Sequence, residues 1–355
     1  MYRLIFGALA AVAFVRTMPC SIAQTSASKA YWVCTSNESS GDVSVIDGSN
    51  RQVIATIAVG KRPRGVHASP EGKLLYVAVS GSPITGPPKL NEKGIPIFET
   101  EKEDEGDRTA DGIGVIDLHQ RKFLRKLPAG TDPEEFAVSP DGKRLYVSNE
   151  DVGTASVLDV GSGKVEGIVR VKKEPEGVAF TPNGKFVFVT CETGGEVMVI
   201  DAATNKVVDE ILVGGRPRTI AFLADSSRAY IPSETESKVT EVDCSSRKLI
   251  RSFALPHGSR PMGTATSPDG RRIYVSTGRG GTVCVIDLSA GKVSHTISAG
   301  ARPWGIGLSP DGKLLFVANG PSNDISVIDT MAAKEIDRIK VGRGPWGVAV
   351  IPVNP

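Results

Sequence analysis

The chain has 355 residues, with 42 lysines and arginines against 40 aspartates and glutamates. Two of the arginines, Arg3 and Arg16, stand in an N-terminal leader, so the remainder is close to neutral, which excludes a general nucleic-acid or acidic-membrane binder. Four scattered histidines exclude a multicopper or haem protein that needs many of them, and no Cys-x-x-Cys-His run offers covalent haem attachment.

The start, Met1-Tyr2-Arg3 and an apolar run from Leu4 to Val15, is too short to span a bilayer and reads as a secretory signal. Cleavage is expected near Ala23 or Ala27, giving a leader over 1–27 and a mature chain over 28–355 that is periplasmic or secreted, with no later run long enough to cross a membrane. Met18-Pro19 before Cys20 does not suit a lipoprotein site. The mature chain keeps Cys34, Cys191, Cys244 and Cys284, which permit two disulfides in three connectivities or four isolated buried thiols.

From about residue 30 the chain repeats. Aspartates closing a Val-Ile-Asp-type run lie at 47, 117, 159, 201, 243, 287 and 329, spaced by 70, 42, 42, 42, 44 and 42. One unit is clearest over 300–329: an Arg302-Pro303-Trp304-Gly305 turn, an apolar run, a Ser309-Pro310-Asp311-Gly312-Lys313 turn, and two further runs ending at Asp329. Proline sets φ and glycine accepts φ > 0, so Pro-Asp-Gly between β-branched or aromatic runs predicts a hairpin. A period of 40–45 residues carrying four strands predicts propeller blades, and the absence of a sustained 3.6-residue apolar period excludes helical solenoids.

Seven innermost strands are expected, beginning near Gly65, Phe136, Gly177, Thr219, Gly263, Gly305 and Gly347. Runs around Tyr31-Trp32-Val33 and Val43-Ser44-Val45-Ile46 lack an inner strand, and the run ending the chain lacks partners. The fold class is therefore all-β: a single seven-bladed β-propeller of four-stranded antiparallel blades, closed by N-terminal strands pairing with the C-terminal strand. It is expected to be monomeric, because closure leaves only short outer edges. In the fourth repeat Leu223-Ala224-Asp225-Ser226-Ser227 replaces Ser-Pro-Asp-Gly-Lys, and Pro232 is expected to end the second strand early. The anomalous gap places an insert at 81–109, rich in glycine and proline and then acidic from Glu99 to Asp107.

In such a meander the turns leading into the inner strands share one face with the loops joining second and third strands, so these turns and the insert should surround one mouth. The turns are Arg62-Pro63-Arg64, Asp132-Pro133-Glu134-Glu135, Glu174-Pro175-Glu176, Arg216-Pro217-Arg218, Arg260-Pro261-Met262, Arg302-Pro303-Trp304 and Arg343-Gly344-Pro345-Trp346. Two neighbouring blades are acidic and five basic or aromatic, so the mouth should be polarised, with arginine forks suited to carboxylate or phosphate. The alternative is that Arg-Pro is the repeat consensus and each arginine braces the next blade. Trp304 and Trp346 either stack a planar ligand or cap the core between blades.

His67 and His257 are the histidines able to approach the axis, but a metal would need Glu134 or Glu176 to complete its ligands, and no metal or other cofactor is expected. No Gly-x-Ser-x-Gly elbow or other nucleophile context is present, so no catalytic residue is assigned. The seven Val-Ile-Asp aspartates are expected to form strand-end turns.

Val43-Ser44-Val45-Ile46-Asp47, Ser139-Pro140-Asp141-Gly142-Lys143-Arg144-Leu145-Tyr146-Val147-Ser148-Asn149 and Ile325-Ser326-Val327-Ile328-Asp329 resemble the YVTN-type β-propeller repeat family over about 30–355. The leader, the seven repeats and the insert returning at Ala110-Asp111-Gly112-Ile113-Gly114-Val115-Ile116-Asp117 are similar to exported propellers associated with quinone-cofactor (PQQ) dependent alcohol catabolism. That resemblance implies an accessory, non-enzymatic role beside a dehydrogenase and a transport system, and lends no catalytic residues. The expectation is a binder of a protein partner or a small anionic ligand at the mouth. The alternatives are a lactonase-like hydrolase or cofactor-dependent oxidoreductase, and a cell-surface adhesion propeller.

Overall fold

The computed structural model describes Met1, residues 30–84 and residues 106–353. Apart from Met1, the expected leader and its cleavage site lie outside the described residues, as does the middle of the insert, 85–105. Seven four-stranded antiparallel sheets form the ring. In chain order, blade 1 spans 66–127, blade 2 133–170, blade 3 175–212, blade 4 221–254, blade 5 261–298 and blade 6 303–340. Blade 7 joins the C-terminal strand Pro345–Pro352 to three N-terminal strands, Tyr31–Asn37, Asp42–Asp47 and Gln52–Ala58. Trp32 pairs with both Ile351 and Asp47, closing the ring by hydrogen bonds between its two ends.

Burial explains the strand patterns. In blade 6 the second strand, Leu314–Asn319, and the third, Asp324–Asp329, are buried on both faces between neighbouring sheets and read as nearly continuous apolar runs. The outer strand Lys334–Lys340 alternates, with Lys334, Ile336, Arg338 and Lys340 exposed and Ile339 buried. At the turn between first and second strands Ser309 Oγ donates to Asp311 and accepts from the Leu314 amide at 2.9 Å, while Gly312 takes φ 69°. The aspartates after the third strands form turns: Asp287 accepts from the amides of Ser289 at 2.9 Å and Ala290 at 2.8 Å.

Adjacent blades are tied at the axis by hydroxyls on second strands. Ser148 Oγ donates to the Glu176 carbonyl at 2.9 Å and Thr190 Oγ1 to the Arg218 carbonyl at 2.7 Å, each crossing to the next blade. This close approach explains the glycine that opens most inner runs: a Cβ on Gly305 would lie 2.5 Å from the Trp346 carbonyl oxygen.

Pro232 corrects one expectation. The second strand of blade 4 runs unbroken over Arg228–Ser233, with Pro232 paired to Val239. The inner strand is shortened instead, to Ala221–Phe222 and an isolated Pro217–Ser233 bridge. In blade 1 the equivalent Ala78 amide donates to the Gly65 carbonyl at 2.9 Å, a bond that proline, lacking N–H, cannot make. Ser226 substitutes for the turn glycine at φ 62°. Cys34, Cys191, Cys244 and Cys284 are all buried and free. Among the described residues no helix is long and apolar enough to cross a membrane.

Candidate functional site at the axial mouth

Six of the seven lead-in turns open on a left-handed residue followed by proline. Arg62, Asp132, Glu174, Arg216, Arg260 and Arg302 have φ between 45° and 53°. The proline fixes the direction of the inner strand. In blade 7 the left-handed residue is Gly344, φ 67°, so Arg343 is not the counterpart of Arg302 that the sequence suggests. Arg343 lies outside the mouth, where its amide donates to Ser40 Oγ at 3.0 Å.

The residue after each proline points to the axis. These seven form a throat ring of Arg64, Glu134, Glu176, Arg218, Met262, Trp304 and Trp346, all buried except the half-buried Trp304. Blades 1 to 4 supply its charges and blades 5 to 7 its apolar side.

A second layer comes from the residue following each second strand: Glu38, Ser80, Glu150, Glu192, Glu234, Gly278 and Gly320. Sequence reasoning missed this layer, although Glu150, Glu192 and Glu234 recur at the repeat interval of 42. This layer, with Asp132, Glu134 and Glu176 of the lead-in turns, neutralises the arginines. Arg64, with 2% of its surface exposed, bonds Asp132 at 2.9 Å and Glu134 at 2.5 Å, and Arg62 bridges Glu38 at 3.0 Å and Asp132 at 3.5 Å. Arg218 pairs closely with Glu176 and Glu192, and with Glu234 at 2.5 Å. Arg216 reaches Glu192 at 2.5 Å and Glu234 at 3.3 Å. These four arginines therefore brace neighbouring blades.

The acids respond unequally. Burial, reinforced by the Glu176 carboxylate, pushes the Glu192 pKa up to about 10. Burial alone would raise Glu176 too, but Arg218 and a hydrogen bond with Glu192 bring it down to about 2. The pair thus shares one proton. Burial outweighs Arg64 at Glu134, whose pKa stands well above the usual range, while at Asp132 Arg64, Ser80 and Arg62 overcome burial and lower it.

Between these walls lies a cavity of about 450 Å³, lined on one side by Arg62, Arg64, Arg216, Arg218 and their carboxylates and on the other by Arg302, Trp304 and Trp346. The two indole rings are 5.1 Å apart at 45°, and the Arg302 guanidinium lies 5.2 Å from the Trp304 ring. Among the described residues, Arg302 is the cavity-lining arginine with no carboxylate within 4.0 Å and no side-chain hydrogen bond. Partial removal from water, then repulsion from Arg218, lower its pKa.

Three of the other candidate residues lie elsewhere. Glu174 is exposed on the rim and accepts from Thr193 at 2.6 Å, and Arg260 approaches Glu234 only at 4.0 Å. Glu135 lies below the throat, 2.7 Å from His67 Nε2, in a narrower axial channel of about 160 Å³. His257 is exposed. Among the described residues no cluster of three or more histidine, cysteine or acidic side chains could hold a metal ion. Of the insert, Ile84 lines the mouth, while Lys61–Asp107 at 2.9 Å and Arg108–Asp151 at 2.8 Å tie down its returning end.

The fold and throat define the class: the chain is a seven-bladed β-propeller. A family model described as "Lactonase, 7-bladed beta-propeller" matches residues 178–334, less than half of the chain. Antigen Lp49 of Leptospira interrogans serogroup Icterohaemorrhagiae serovar copenhageni (strain Fiocruz L1-130) is 33% identical over a match covering 33% of this chain. That match spans only 30% of the curated relative's length. Among solved structures, a candidate 6-phosphogluconolactonase from Bacteroides fragilis NCTC 9343 superposes with a TM-score of 0.73 at 17% identity, over 91% of this chain and 98% of that one. Another from Bacteroides uniformis ATCC 8492 gives 0.72 at 17% identity, over 91% and 100%. At such identities the likeness establishes the fold alone.

Proposed function

We propose that this propeller is a binding module that captures a small anionic ligand at the mouth, with Arg302 gripping the anion and Trp304 and Trp346 giving aromatic contact. One observation carries this reading: the arginines of the opposite wall are consumed by carboxylates, whereas Arg302 faces the same cavity without one. An arginine fork beside two indoles is suited to a carboxylate or phosphate on a planar or apolar body. Titration calorimetry with a panel of carboxylates and phosphate esters tests it. Arg302→Ala should weaken the binding members at least about tenfold and flatten their salt dependence. Equal binding by the variant overturns the reading. The exported, PQQ-associated setting, with a protein partner at the insert, belongs to the same proposal and rests on the repeat resemblance. N-terminal sequencing and fractionation of the native host would test export, and co-purification from that fraction would test the partner.

A second reading, a lactonase-like hydrolase, is favoured by the partial match over residues 178–334. Proton release from a lactone panel in a pH-stat decides between them. Turnover would overturn the non-enzymatic reading, and its absence across the panel would remove the hydrolase.

A further inference from the structure

Two titratable side chains interrupt the small residues that repeat along the axial channel under the throat, and they touch. Directly after the throat residue the other blades have Gly65, Gly177, Thr219, Gly263, Gly305 and Gly347, whereas blade 2 has Glu135. Two residues further along each inner strand the other blades have Ala137, Ala179, Ala221, Ala265, Gly307 and Ala349, whereas blade 1 has His67. Glu135 and His67 come from adjacent blades and meet at 2.7 Å, Oε1 to Nε2.

The surroundings make this pair conspicuous. Below Glu176 and Arg218 the channel walls are largely apolar, including Val66, Val178, Ile220, Ile306 and Val348. The His67 side chain nevertheless keeps 43% of its surface exposed. Glu135 Oε1 also accepts from the Phe136 amide at 2.9 Å, so the carboxylate is an acceptor and Nε2 donates to it. In the neutral ring Nδ1 is then left as an acceptor, and among the described residues it has no protein partner. Such a nitrogen calls for a hydroxyl donor.

The channel shares Glu176, Arg218, Trp304 and Trp346 with the mouth, so the two cavities meet at the throat ring. Its volume of about 160 Å³ is close to that of an engineered apolar cavity, roughly 150 Å³, that binds benzene. His67 lies three residues below the throat ring along its strand, a depth of roughly 10 Å at about 3.3 Å per residue.

We propose that the axial channel takes the uncharged body of the ligand, about the size of a benzene ring and bearing a hydroxyl that donates to His67, while the anionic end stays at the mouth. The ligand class is thus a hydroxyaryl or short hydroxyalkyl acid. This rests on the mouth reading for the anionic end, and the channel itself is assigned by the Glu135–His67 pair.

The test compares para-hydroxyphenylpropanoate, phenylpropanoate and propanoate by calorimetry and tryptophan fluorescence on the full mature chain. The hydroxylated acid should bind about tenfold more tightly than phenylpropanoate, and phenylpropanoate more tightly than propanoate. His67→Ala and Glu135→Gly restore the residues that other blades carry, so the ring should fold, and each should erase the preference for the hydroxyl. Ala179→Leu, which fills the channel, should bring both aryl acids down to propanoate. Equal affinities for the three acids in the wild type, or a hydroxyl preference surviving His67→Ala, overturns the channel assignment while leaving the mouth reading standing. Loss of the preference in His67→Ala together with unchanged affinity in Arg302→Ala upholds the channel and overturns the mouth. Absence of binding by all three overturns this ligand class.

Discussion

Arg64 of blade 1 and Asp132 of blade 2 join their blades through a bond of 2.9 Å at a depth where the arginine is almost fully removed from water. Glu134 at 2.5 Å completes the clamp. Removing one partner from such a cluster leaves uncompensated buried charge, which costs about 3–5 kcal/mol. Arg64→Met should therefore lower unfolding stability by about that amount in urea denaturation. Adding Asp132→Asn should recover part of the loss, because the stranded carboxylate charge disappears with the arginine.

The proton shared by Glu176 and Glu192 makes stability depend on pH. Unfolded glutamates titrate at about 4.3, and folded Glu192 is pushed up to about 10. Between these values the folded chain holds a proton that the unfolded chain has released, so stability falls as pH rises through the window. Glu176, held down to about 2, acts oppositely, its contribution being lost as pH falls below the unfolded value. The thermal midpoint should drop between about pH 5 and pH 9 by at least roughly 4 °C. Glu192→Gln, which keeps a hydrogen-bond donor but does not titrate, should flatten that decline.

Arg302 separates a binding role from a bracing one. It makes no salt bridge among the described residues, so Arg302→Ala should change the thermal midpoint by less than roughly 2 °C. The same substitution should weaken anion binding at least about tenfold. Arg218→Ala should instead destabilise the ring, because Glu176, Glu192 and Glu234 all converge on that guanidinium.

Gly305 sets the spacing of the two tryptophans. A methyl group there would meet the Trp346 carbonyl at 2.5 Å, a contact with backbone and no flexible side chain to yield. Gly305→Ala should cost about 1–3 kcal/mol through overpacking and alter the tryptophan emission of the folded protein. Gly258, whose Cβ would meet nothing within 4 Å, differs in that only its left-handed φ of 75° opposes substitution.

The insert should be separable from the ring. The Asp107 amide donates to the Gly81 carbonyl at 3.1 Å, so the chain leaves and returns at neighbouring points. Replacing 85–105 by a short Gly-Ser linker should leave the thermal midpoint within roughly 2 °C, since loop length enters stability only logarithmically. If the insert captures a protein partner, the same deletion should abolish co-purification; survival of capture would place the partner elsewhere.

Much of the architecture was legible in the chain. The repeated aspartates, the Pro-Asp-Gly turns and the mismatched ends near Tyr31 and Ile351 specify seven blades and their closure, because turn chemistry and strand periodicity are local properties. The candidate residues of the lead-in turns were legible too, but their partners were not. Glu192 and Arg218 are 26 positions apart and meet only when blades 3 and 4 pack around the axis. Pro232 read as a strand breaker, yet its missing N–H faces the inner strand, so the inner strand shortens instead.

By itself, then, the sequence determined the number of blades, their strand order and which turns surround the mouth, since each follows from short-range backbone preferences repeated seven times. Only the tertiary structure decided which arginines are neutralised, that Arg302 is not, and that Glu135 and His67 meet in the channel. Charge pairing at the throat depends on distances across blades, and no local pattern encodes those distances.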